Sequence, residues 1–135
     1  MVQITGKYQL VKSENFAAYL IGIGLPEDKS NEVDKIKPTY DIKHEGDKIC
    51  VDVDLMADLH VEYILNKEID EKLPYGVVVK TTTVMKGDDT IVMSSKTPKG
   101  RTGTRTYTFS GNEVTIIYKD DDPKCPVATR VFKRL

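Results

Sequence analysis

The chain of 135 residues has no tryptophan, three phenylalanines, two cysteines and two histidines, and each shortage narrows what it can be. Cys50 and Cys125 lie too far apart in sequence for a CxxC redox pair or a zinc-ligand set, so two free thiols in a reducing, cytoplasmic compartment are expected. His44 and His60 have no cysteine or second histidine at ligand spacing, so no metal site is expected. Ser94 and Ser95 lack a nucleophile-elbow context, and Asp88-Asp89 follow Gly87 in turn chemistry. With no catalytic constellation, neither an enzyme nor a cofactor is expected.

Long apolar runs are also missing. The longest, Phe16 to Leu25, spans ten residues where a membrane helix needs about twenty. It follows the polar Ser13, Glu14 and Asn15 and ends without a small-residue cleavage pattern, so no signal peptide is expected either. Charge of one sign is absent too: 20 basic residues against 21 acidic ones give no field to attract nucleic acid. No repeat, linker or low-complexity stretch divides residues 1–135, which are expected to form one domain.

What is present is a globular balance, 39% hydrophobic and 30% charged, in a chain able to bury about two-thirds of its unfolded surface without a disulfide or metal. After a short strand over 5–12, Ser13 offers an N-cap for a helix from about Glu14 to Gly22, apolar on almost every side. A second, polar helix opens at Leu25-Pro26, with Glu27 and Asp28 at its positive end, Lys35 and Lys37 at the other, and Pro38 as its stop. Together they make a helix-turn-helix over about 14–37.

Beyond Pro38 the period changes. Short alternating runs are separated by turns such as Glu45-Gly46-Asp47, Lys86-Gly87-Asp88-Asp89, Lys99-Gly100 and Ser110-Gly111-Asn112. Ile49, Val51, Val53 and Leu55 alternate with Cys50, Asp52 and Asp54, giving one apolar and one acidic face. Strands are expected near 5–12, 38–45, 48–55, 60–66, 69–72, 77–85, 89–96, 101–109, 112–119 and 126–134. The fold class is all-β: an up-and-down antiparallel barrel of ten strands, closed so that no edge remains, with the helix pair as a lid. With 7% aromatics and no tryptophan, such a barrel has more interior than its side chains fill, so a ligand cavity is expected. Phe16, Tyr19, Leu20 and Ile23 form the inner face of the lid; the alternative is that this helix plugs the barrel end as core.

Particular segments then bear a family likeness. Gly6-Lys7-Tyr8-Gln9-Leu10 followed by Asn15-Phe16, Ile36-Lys37-Pro38-Thr39, Asn66-Lys67-Glu68-Ile69, and Ala128-Thr129-Arg130-Val131-Phe132-Lys133-Arg134 occur in an order that resembles the intracellular lipid-binding proteins, the fatty-acid-binding and cellular retinoid-binding family. The likeness spans nearly the whole chain. It implies a flattened barrel of ten strands (a clam) under two helices, a water-lined cavity, no cofactor and no catalysis.

In carboxylate-binding members two inward arginines and a tyrosine hold the head group. The resemblance places Arg130 at the last-strand arginine, and Thr104-Arg105-Thr106 resembles the segment carrying the other. A slip of one residue would turn Arg105 outward. Phe132 stands where the tyrosine is expected and has no hydroxyl to donate, leaving Arg105, Tyr107, Tyr118 or water to supply that bond. A guanidinium keeps its proton and offers a planar fork to a carboxylate, which favours arginine in this role. The alternative for either arginine is an outward ion pair with one of the many acidic residues.

Pro38, Tyr40, Val51, Val53, Leu55 and Tyr63 are expected along the cavity wall. The resemblance puts a portal at Met56 or Ala57 and a second portal loop at Leu73-Pro74-Tyr75-Gly76, with Tyr75 leaning into the opening or lying on the surface. Lys29, Lys35 and Lys37 either touch an anionic membrane during ligand transfer or form an ordinary solvated face. Three functions follow: a monomeric carrier of a long-chain fatty acid or similar hydrophobic carboxylate; a carrier of a retinoid or other isoprenoid; or an interaction module with a filled barrel.

Overall fold

The computed structural model describes residues 4–23, 25–54, 58–72, 78–98 and 100–135. Their elements run β1 (Gly6–Glu14), α1 (Phe16–Gly22), α2 (Glu27–Asp34), β2 (Thr39–Glu45), β3 (Lys48–Asp54), β4 (Asp58–Ile64), β5 (Glu68–Lys72), β6 (Val78–Lys86), β7 (Thr90–Lys96), β8 (Thr102–Ser110), β9 (Glu113–Asp120) and β10 (Ala128–Arg134). All ten strands belong to one antiparallel sheet in the order β4-β3-β2-β1-β10-β9-β8-β7-β6-β5. Each hairpin joins neighbours, and the one non-sequential pairing, β1 with β10, brings the two ends of the chain together. The barrel is nearly closed: among the described residues no ladder joins β4 to β5. A bridge from Leu65 to Thr83, the Asn66 N–H donating to the Thr83 carbonyl at 2.7 Å, and a side-chain bond from Tyr63 to Glu71 span that side.

Alternation fixes which face looks inward. Tyr8 and Leu10 on β1, Ile49 and Val51 on β3, Tyr107 and Phe109 on β8, and Ala128, Arg130 and Phe132 on β10 are all buried. At the tip of the β2–β3 hairpin Gly46 has φ 59°, a left-handed conformation that glycine adopts at little cost. In β1 the register jumps from Leu10–Phe132 to Lys12–Val131, so Val11 is a bulged extra residue and is exposed. Such a bulge bends the strand, and here it divides the part of β1 that also pairs with β2 from the part that pairs with β10 alone.

The start of the lid differs from the sequence expectation. Ser13 does not cap a helix: β1 continues through Glu14, paired with Thr129, and the Ser13 hydroxyl donates to Asp34 Oδ1 at 3.2 Å. The cap position falls to Asn15, which turns the chain at φ 60° with no side-chain cap bond. The strand ladder satisfies the backbone groups at Ser13 and Glu14, so the capping chemistry of Ser13 is not needed there. Pro26 precedes α2 rather than opening it, and α2 stops at Asp34, short of Lys37. Pro38 stands outside β2, and its carbonyl accepts from the Leu10 N–H at 3.2 Å. Strand β3 ends at Asp54; Leu55, Met56 and Ala57, and the loop holding Tyr75, lie outside the described residues.

Candidate ligand-binding site

Tyr8, Leu10, Phe109, Val114 and Phe132 fill part of the barrel as a compact core, whereas the part beneath α1 and α2 holds a cavity of about 180 Å³. The lid contributes Phe16, Tyr19, Leu20 and Ile23 to its wall. Pro38, Tyr40, Val51, Val53 and Tyr63 continue that wall on the β2–β4 side, and Arg105 and Arg130 both reach it. The outward reading of the two arginines therefore does not describe this molecule. Phe132 is fully buried but lies off the wall, its ring centroid 4.5 Å from that of Tyr40.

The two arginines have different surroundings. Arg130, 2% exposed, lies with its guanidinium carbon 4.0 Å from the Phe16 ring centroid. Phe16 is tilted against Tyr118 with centroids 5.1 Å apart, so a small aromatic group joins the lid to the cation. Cation–π contact stabilises the charge but satisfies none of its N–H groups. Nε and Nη2 of Arg130 have no hydrogen-bond partner among the described residues. Buried donors left unpaired cost about 1–3 kcal/mol each, and more when charged.

Arg105, by contrast, is neutralised. Its Nη1 donates to Glu71 Oε2 at 3.0 Å, its Nη2 donates to Glu71 Oε1, and Nη2 also reaches the Ser95 hydroxyl at 3.3 Å. Glu71, 3% exposed, accepts further bonds from the Tyr63 hydroxyl at 2.5 Å and the Thr81 hydroxyl at 2.8 Å. Burial alone would push the Glu71 carboxyl up. The Arg105 guanidinium and the hydrogen bonds outweigh it and hold the carboxyl below its usual range. Burial also pushes the hydroxyls of Tyr19, to about 12, and of Tyr63, Tyr40 and Tyr107 upward, so all four are neutral donors at physiological pH. Tyr63 on β4 and Glu71 on β5 thus meet across the side of the barrel where the ladder is missing. Glu71 was not singled out from sequence, although alternation does put it on the face of Ile69.

At the lid, Arg101 Nε donates to Asp120 Oδ2 at 2.7 Å and Nη2 to the Gly22 carbonyl at 2.9 Å, pinning the last turn of α1 to β9.

No family model matches the chain. Over 125 residues it is 33% identical to the liver fatty acid-binding protein of Mus musculus, covering 87% of this chain and 95% of that protein. The chain belongs to the fatty-acid-binding protein family. A fatty acid-binding protein of Lepidoglyphus destructor is 30% identical over 135 residues, 99% of either chain. The fatty-acid-binding protein fold is also evident in space: the Manduca sexta protein superposes with a TM-score of 0.86 at 25% identity, covering 97% of this chain and 99% of that one. These relatives are named as binding proteins. Among the described residues no helix is long and apolar enough to cross a membrane.

Proposed function

We propose that this member of the family is a monomeric, single-domain intracellular carrier, not a catalyst, that holds one long-chain fatty acid or similar hydrophobic carboxylate. The carboxylate lies at Arg130 and the chain runs along the apolar wall beneath the lid. The observation that carries the reading is the buried Arg130 guanidinium, facing the cavity with Nε and Nη2 unpartnered. A carboxylate offers the acceptors that this fork lacks, in planar geometry. The names of the relatives and the complex of a Schistosoma mansoni family member with arachidonic acid support the same ligand class. Arg105, occupied by Glu71, is proposed as a wall residue rather than a second clamp; Phe132, off the wall, leaves the head group to Arg130. Contact of the lid with membranes during transfer, and residence in the cytoplasm, belong to the same proposal.

Chain burial supplies most of the affinity. At about 0.8 kcal/mol per methylene, a tail of about fourteen methylenes contributes on the order of 11 kcal/mol before the costs of association. Arg130 therefore selects and orients the acid. In displacement titrations of a fluorescent fatty acid, Arg130→Gln should weaken oleate by about tenfold or more, the worth of a charged hydrogen bond, and leave oleyl alcohol nearly unchanged. Equal losses for acid and alcohol, or none for either, would show that Arg130 does not read the head group.

A second reading, a retinoid or other isoprenoid carrier, is favoured by one observation: Arg105 and Glu71 form an ion pair, so that part of the wall carries no net charge and suits an uncharged alcohol or aldehyde. Retinol displacing the fluorescent acid more strongly than oleate would favour it. The open cavity weighs against the filled-barrel interaction module.

A further inference from the structure

The β3–β4 hairpin has a second face, turned away from the cavity. Ladder pairing sets Cys50 opposite Glu62 and Asp52 opposite His60, so four potential ligands form a two-by-two patch on the outside of the barrel. Directly opposed side chains in an antiparallel pair lie close enough to share a ligand. Sulfur, imidazole nitrogen and carboxylate oxygen of Cys50, His60 and Glu62 all lie within 4.8 Å of one another. Along the chain Cys50 is remote from His60, which is why spacing gave no sign of the group; only the register joins them.

The orientation of His60 adds a second observation. Its Nδ1 lies 2.5 Å from Asp52 Oδ1, and its Nε2 faces Glu62 Oε1 at 3.4 Å. In the tautomer that donates Nδ1–H to Asp52, Nε2 carries the free lone pair on the Glu62 side. A carboxylate behind a histidine, holding the ring so that its other nitrogen binds, is the arrangement that orients histidine ligands at metal centres. A patch serving only as surface ion pairs would gain about 0–1 kcal/mol per pair and has no use for a thiol.

We propose that Cys50, His60 and Glu62 bind zinc or a like borderline divalent transition-metal ion, with Asp52 orienting His60. Thiolate, imidazole and carboxylate together are a donor set suited to such ions and poorly suited to calcium or magnesium, which take oxygen. Three protein ligands leave a fourth position for water. His60 and Glu62 also border a concavity with Val61, Ile69, Asp70 and Lys72. Lys48, whose Nζ is 3.3 Å from Glu62 Oε1, is the cation now beside the carboxylate; it offsets one of the three negative charges of the liganded patch, and the ion offsets the other two. None of the three ligands touches the lipid cavity, so metal and lipid binding are separable.

The test is zinc titration by calorimetry on the untagged full chain, followed by cobalt substitution read in the near ultraviolet. We expect one zinc per chain and a thiolate-to-cobalt charge-transfer absorption. Cys50→Ser should abolish that absorption, and Cys50→Ser and His60→Gln should each weaken zinc at least about tenfold. Asp52→Asn should weaken zinc by about 10- to 100-fold, the usual cost of removing an orienting partner. Fatty acid uptake should remain unchanged in all three variants, which also shows that they fold. Absence of zinc binding, zinc affinity indifferent to Cys50→Ser or His60→Gln, or a cobalt spectrum without the thiolate absorption overturns the site.

Discussion

Arg105 and Arg130 face the same cavity, but Glu71 cancels the charge of the first while that of the second has only aromatic rings beside it. Inward placement of a residue follows from strand alternation; what it can do there depends on its cross-barrel neighbour. Glu71→Gln tests this. It leaves Arg105 buried without its counter-ion, which should destabilise the protein by about 3 kcal/mol in urea denaturation. It should also release Arg105 as a second carboxylate partner, so fatty acid affinity should rise while stability falls. The pH dependence has a definite sign. With the folded carboxyl held below its ordinary 4.5, the unfolded chain binds the proton more readily. The Glu71 contribution is therefore fully present above about pH 4.5 and is lost as pH falls through the folded value. Denaturation curves between pH 3 and 6 should show this acid loss in the native protein and much less of it in Glu71→Gln.

The element of interest is α1, which the apolar run from Phe16 announced but whose beginning and anchorage it did not. Its first turn follows Asn15 in the left-handed region, where most side chains cost about 1–2 kcal/mol and asparagine or glycine costs less. Its last turn is tied by Arg101, and a Cβ on Gly22 would lie 2.6 Å from the Cys125 sulfur, so the helix end sits close against the segment before β10. In Arg101→Ala the Gly22 carbonyl loses its donor and Asp120 its counter-ion. Stopped-flow mixing with a fluorescent fatty acid should then show uptake and release both faster by several-fold, with the equilibrium affinity changed much less. Unchanged rates would mean that α1 does not govern access.

For the whole molecule, the barrel encloses space instead of filling it, and ligand binding should repay that omission. A ligand at 100 times its dissociation constant stabilises the folded state by about 2.7 kcal/mol. For a chain of this length that corresponds to a rise of roughly 10 °C in Tm. Differential scanning calorimetry with oleate should show the rise in the native protein and a smaller one in Arg130→Gln at the same concentration. The side of the barrel between β4 and β5 lacks a ladder and is crossed by the Tyr63–Glu71 bond, so amides of β5 facing that side should exchange faster than those of β9, which is paired on both sides.

The sequence by itself determined the all-β class, the number and order of the strands, the helical insertion and the apolar face of β3, because turn residues and a period of two are local properties. The family likeness of the segments around Gly6 and Arg130 was legible for the same reason. Tertiary structure alone decided which inward and outward side chains meet: Glu71 with Arg105, Arg130 with Phe16, and Cys50 with His60 and Glu62. It also ended β1 at Glu14 by pairing it with Thr129, against the local capping signal of Ser13. Alternation assigns a face, but neighbours across a curved sheet depend on register and closure, which couple residues remote along the chain.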